Sequence, residues 1–167
     1  LGDNRSISNC YNYLAEIDIA QGNYKTAVKR DLEAIFIKRK LGDLEGMTRC
    51  FLNLTRSYLE LNELGLAELY ADSALSFAKD IDALEHLVSA SELNKNLFRE
   101  LGKYKLALDF ADAYKAYSDS LLNADKSRAV TEIETKYQSD ILEEENQRLR
   151  IEADLQYEML ARQRIFS

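Results

Sequence analysis

The side chains best suited to gripping a ligand lie in one short run, Arg49-Cys50-Phe51-Leu52-Asn53-Leu54-Thr55-Arg56. On a helix the two arginines stand two turns apart with Asn53 between them. Guanidinium and amide groups offer paired N–H donors to a carboxylate or to the backbone of an extended peptide. This is binding chemistry, and the residue patterns of bond-breaking chemistry are missing. The one histidine, His86, has no cysteine or second histidine at metal-ligand spacing. There is no phosphate-cradling glycine loop, Gly-x-Ser-x-Gly elbow or His-Glu-x-x-His pair. His86, near a helix start, reads as a surface residue, and the abundant carboxylates read as solvated helix faces rather than an acid/base pair. Cys10 and Cys50 read as two separate buried thiols on neighbouring helices. Packed helix axes lie about 8–10 Å apart, whereas a disulfide needs Cα atoms within about 7 Å. The sequence therefore predicts a non-enzymatic chain with no metal and no cofactor.

The elements that must carry these residues are helices. Among 167 residues there is no proline and there are six glycines, in a composition dense in Leu, Ala, Glu, Lys and Arg. This is the composition of an all-α protein with a sizeable core. The formal charge of −7 and pI near 4.9 oppose binding to phosphate backbones, so nucleic acid is not an expected partner. No apolar run approaches the roughly 18 residues needed to cross a bilayer, and the N-terminus lacks the basic-then-apolar pattern of a signal peptide.

Sliding the sequence against itself by 40 residues aligns three units without a gap: Gly22, Asn62 and Gly102; Tyr24, Leu64 and Tyr104; Ala27, Ala67 and Ala107. Each unit reads as a helical hairpin. The first helix has apolar positions such as Ile7, Cys10, Leu14 and Ile17, or Met47, Cys50, Leu54 and Tyr58, at the spacing of one buried face. Gly22, Asn62 or Gly102 then takes the left-handed conformation that ends a helix. Ala27, Ala67 and Ala107 mark the close approach of the returning helix. Between units, Asp3 and Asp43 read as N-caps, and Asp82 with Glu85 as a capping box. Leu1-Gly2-Asp3 matches Leu41-Gly42-Asp43, which leads to the expectation of a further unit upstream. The shift fails after residue 123, and the array stops there.

These residues resemble the tetratricopeptide repeat, matched by Tyr11, Leu14, Ala15, Gly22, Tyr24, Ala27 and Ala34 in the first unit. Phe51, Leu54, Tyr58, Ala67 and Ala74 match in the second, and Phe98, Gly102, Tyr104 and Ala107 in the third. The third unit departs from the pattern, with Lys95 and Tyr114 where small residues are expected. The resemblance implies a right-handed superhelical stack of hairpins, about residues 3–41, 43–81 and 82–121, whose first helices line a concave groove for a peptide or protein ligand. Groove positions carried over from the family fall on Asn9, Asn12, Glu16 and Ile19, on Arg49, Leu52, Asn53, Arg56 and Leu59, and on Ser89, Glu92, Asn96 and Arg99. Of these, Asn12, Arg49, Asn53, Arg56, Asn96 and Arg99 form the candidate binding set. The carboxylate clamp of chaperone-binding relatives is not reproduced, because Glu16 stands where its first Asn would be.

Residues 122–167 lack glycine and proline and read as one long capping and coiled-coil helix. Val130, Ile133 and Tyr137 keep one a/d phase, and Leu142, Asn146, Leu149, Ala153 and Leu160 keep another. Tyr117, Asp119, Ser120, Leu121, Leu122, Lys126, Glu132, Lys136 and Tyr137 resemble the sensory halves of membrane-bound bacterial two-component and transcriptional regulators. That resemblance implies a periplasmic array, a homodimeric stalk, a membrane helix just after Ser167, and a histidine kinase or DNA-binding output domain elsewhere. A cytosolic repeat adaptor, with the final helix as a cap, is the alternative reading.

Overall fold

The computed structural model describes residues 3–165, with side chains over residues 3–154. Among the described residues there are only helices: α1 (Asn4–Ala20), α2 (Tyr24–Leu41), α3 (Leu44–Glu60), α4 (Leu64–Asp80), α5 (Leu84–Glu100) and α6 (Tyr104–Ile165). The chain divides into two compact units, Leu1–Leu121 and Leu122–Ser167. The first contains three hairpins, each helix pair joined by a turn of three residues.

The turns follow the 40-residue register. Gly22, Asn62 and Gly102 have φ of 78°, 59° and 69°, the left-handed conformation, and so do Gly42 and Asp82 between units, at 67° and 49°. Asp3 and Asp43 cap their helices, accepting from Ser6 N at 3.1 Å and Gly46 N at 2.9 Å. The expected capping box at Asp82 does not form. Asp82 occupies the register position of Gly42 and spends its backbone on the turn, so Ala83 is the N-cap of α5 and offers no side-chain bond.

First helices pack on first helices, α1 on α3 and α3 on α5, while α2 and α4 each bridge their own hairpin to the next. The core lies where these layers meet. α4 presents Ala67, Ala71, Ala74 and Ala78, each at most 1% exposed, and the absence of bulk lets the neighbouring helices close on it. Aromatic side chains fill the remaining space: Phe51 lies edge-on to Phe77 at 5.3 Å, and Tyr58 stacks on Tyr70 at 5.5 Å. In the third hairpin Phe98 stacks on Phe110 at 5.4 Å. Its two departures from the repeat compensate each other, because Lys95 Nζ lies 5.0 Å from the centre of the Tyr114 ring.

The first helix departs from expectation. Ile7, Leu14 and Ile17 are 42–51% exposed, whereas their register equivalents in α3 and α5 are buried beneath α2 and α4. α1 instead buries Ser8, Asn12, Ala15 and Asp18. Cys10 shares the open face, so only Cys50 is a buried thiol and the expected pair of buried cysteines is corrected. Ala27 and Ala67 are fully buried, but Ala107 is half-buried.

The second unit is one stretch of α6. This helix continues through residue 121 without a break, since no glycine or proline follows Gly102. A lone helix has nothing of its own to cover an apolar row, and Val130, Ile133, Tyr137, Leu142 and Leu149 are 54–69% exposed. Leu160 of the expected second seam lies outside the residues whose side chains are described. No helix among the described residues is long and apolar enough to cross a membrane.

Candidate interaction furrows

The first-helix layer carries two furrows. The furrow between α3 and α5, of about 480 Å³, is lined by Arg56, Leu59 and Glu60 of α3, Asn62 and Leu64 at the following turn, and Glu92, Leu93, Asn96, Arg99 and Glu100 of α5. Asn96 is the register equivalent of Arg56, so the repeat itself brings an amide and a guanidinium to the lining of one furrow. No carboxylate lies within 4.0 Å of Arg56 among the described residues, and its side chain is exposed. Arg99 sits 3.6 Å from Glu100, with both side chains more than half exposed, a contact worth under about 1 kcal/mol.

The furrow between α1 and α3, of about 450 Å³, gathers Arg5, Asn9 and Tyr13 from α1, Lys38 from α2, and Asp43, Glu45, Gly46 and Arg49 around the start of α3. Arg49 is 4.0 Å from Glu45. The ammonium of Lys38, whose side chain is 2% exposed, donates to Asn9 Oδ1 at 2.7 Å and Asp43 Oδ2 at 3.0 Å. Gly46 makes room for it, since a Cβ there would strike both Lys38 Nζ and the Asp43 carboxylate. Asp43 thereby ties three helices: it caps α3, holds the lysine of α2 and, through it, reaches Asn9 of α1. Its hydrogen bond from Gly46, together with the Lys38 charge, outweighs partial burial and holds its carboxyl below the usual range.

The six candidate residues are thus divided among three places. Arg56, Asn96 and Arg99 share the α3–α5 furrow, while Arg49 lies in the α1–α3 furrow, so the expected clamp of Arg49, Asn53 and Arg56 is not assembled. Asn12 and Asn53 are 2% and 6% exposed, and their amides donate to the buried carboxylate of Asp31, at 3.0 and 3.4 Å. A fully buried carboxylate demands donors, and the two asparagines supply them. The sequence reading missed both Asp31 and Lys38. The signal was available in the register: Asp31 aligns with Ala71 and Ala111, and Lys38 with Ala78 and Ser118, so ionisable residues stand where other units place small ones.

His86 and Cys50 also have shifted ionisation. His86 is half-buried, and burial followed by the Arg49 charge hold its imidazole below the usual range. Burial, reinforced by Asp31, pushes the Cys50 thiol far up, which leaves it protonated and unreactive. No cluster of potential metal ligands occurs among the described residues.

No known family model matches this sequence, and neither does any curated protein. Among solved structures, the chain is similar to the TPR domain of Arabidopsis FLU, with a TM-score of 0.66 at 16% identity, covering 70% of this chain and 98% of that one. At this identity the likeness is one of architecture, an all-α stack of tetratricopeptide-like hairpins; in this chain the last helix of the stack runs on to Ile165.

Proposed function

We propose that this chain is a non-catalytic interaction and sensing module that takes an extended peptide or protein segment along its first-helix layer, with the furrow between α3 and α5 as the principal site. The observation that carries the reading is Arg56, an exposed guanidinium without an ion-pair partner among the described residues, facing a furrow that also holds Asn96 and Arg99. Arg56 receives a ligand carboxylate, Asn96 pairs with ligand main chain, and Leu59 and Leu93 supply apolar contact. Glu60, Glu92 and Glu100 on the same rim favour a ligand with mixed charge over a uniformly acidic one.

The test is selection from a displayed library of random peptides, followed by binding measurements. The reading expects enriched sequences with an acidic residue, bound at least about tenfold more weakly by an Arg56→Ala/Arg99→Ala variant of unchanged melting temperature. Failure to enrich, or equal binding by that variant, contradicts it.

The wider reading places the array in the extracytoplasmic part of a bacterial membrane-bound regulator, on its periplasmic side, with a second copy paired along the C-terminal helix. It rests on the run from Tyr117 to Tyr137 and is supported by the exposed apolar row from Val130 to Leu149. Sedimentation should then show a dimer that deletion of residues 140–167 weakens. A monomer at high micromolar concentration, unchanged by that deletion, contradicts the stalk, and a full-length gene without any membrane segment favours the cytosolic adaptor.

A further inference from the structure

The seam between the first two hairpins differs in kind from the seam between the second and third. At four register-equivalent positions the first seam holds Asn12, Asp31, Cys50 and Asn53, while the second holds Leu52, Ala71, Ala90 and Leu93. All eight are at most 7% exposed. The first seam therefore encloses a carboxylic acid where the second is apolar throughout. Asp31, on α2, is fully buried; its Oδ1 accepts from Asn12 of α1 and Asn53 of α3, and its Oδ2 has no hydrogen-bond partner among the described residues.

Among the described residues no cation is paired with this carboxyl. α1 contributes Glu16, whose charge opposes ionisation, and Asp18, already paired with Arg30 at 2.7 Å. α3 contributes the protonated Cys50 thiol, with Arg49 lying beside Glu45 and Arg56 exposed in the other furrow. Lys38, two turns further along α2, spends its ammonium on Asn9 and Asp43. An ionised Asp31 would be an uncompensated buried charge touching three helices, whereas the neutral acid still accepts both amide bonds.

We propose that the junction between the first two hairpins is a protonation-controlled hinge: with Asp31 neutral the α1, α2 and α3 contact is closed, and with Asp31 ionised the first hairpin loosens from the second. The direction follows from linkage. Burial pushes the Asp31 carboxyl up to about 7 in the closed seam, and opening exposes it to water, where it returns to its ordinary 3.8. Between these values the open form alone has released its proton, so opening rises with pH by up to about tenfold per unit and levels off above about 7. Acidification tightens the hinge, and the furrow between α1 and α3 tightens with it.

Hydrogen exchange of the full chain, corrected for intrinsic rates, tests this between pH 5 and 8. Opening of α1 relative to α5 should rise by up to about tenfold per unit to pH 7 and then flatten, and Asp31→Asn should abolish the rise. A wild-type ratio that does not change with pH, or a rise that persists in Asp31→Asn, overturns the proposal. Should that variant fail to fold, a carbon-13 titration of the Asp31 carboxyl in the wild-type chain decides it. A midpoint near 7 supports the hinge, and one near 4 overturns it.

Discussion

Replacing a helical glycine by alanine ordinarily stabilises a protein, and among the described residues two helical glycines should respond with opposite signs. Gly65, in the first turn of α4, is exposed, and a Cβ there meets nothing within 4 Å. Gly65→Ala should gain about 0.5 kcal/mol from reduced chain entropy. Gly46, in the first turn of α3, is buried, and its Cβ would strike Lys38 Nζ and the Asp43 carboxylate. Both are side-chain ends and can move, but only by giving up what they hold. Losing the Asp43 cap costs about 1 kcal/mol, and losing the charged hydrogen bond from a buried ammonium costs about 2 kcal/mol. The alanine propensity offsets a fraction of this, so Gly46→Ala should destabilise by about 2 kcal/mol. Urea unfolding followed by circular dichroism should then show a midpoint lower by roughly 1 M for Gly46→Ala, and a slightly higher one for Gly65→Ala. Equal stabilisation by both would refute the account of Lys38 as a buried pin beneath α3.

The two cysteines should separate cleanly: a thiol reagent should modify Cys10 rapidly in the folded chain and reach Cys50 only on unfolding, as counted by mass spectrometry of digested fragments. Lys95 and Tyr114 should show a coupling of about 0.5–1 kcal/mol in a double-mutant cycle on thermal unfolding, and additive effects would mean that their contact contributes nothing. His86 should titrate below its ordinary range by NMR, since burial and Arg49 both disfavour its charged form. Asp82→Gly should raise the melting temperature slightly, because a left-handed residue at φ 49° costs a non-glycine up to about 1 kcal/mol.

The repeat was legible because turn geometry leaves local marks. Gly22, Asn62 and Gly102 announce their conformation by type, and Asp3 and Asp43 are caps in sequence and in structure. The furrows were legible only in part. Register alone puts Asn12 and Asn53 on first helices, but it does not say that Asp31, a helix away, draws both amides inward. The open face of α1 was hidden for a similar reason. Ile7, Leu14 and Ile17 carry the same periodicity as buried positions in α3, and periodicity records what a face suits rather than what covers it. Asp82 misled because the same residue type serves as a cap and as a left-handed turn residue.

The claim that the furrow between α3 and α5 receives ligand is tested most directly by NMR mapping on the folded array with a peptide selected for binding. Shifts should concentrate on Arg56, Leu59, Leu93, Asn96 and Arg99 and disappear when Arg56 and Arg99 become alanine. Shifts confined to the opposite helices α2 and α4, or unchanged in that variant, would contradict it.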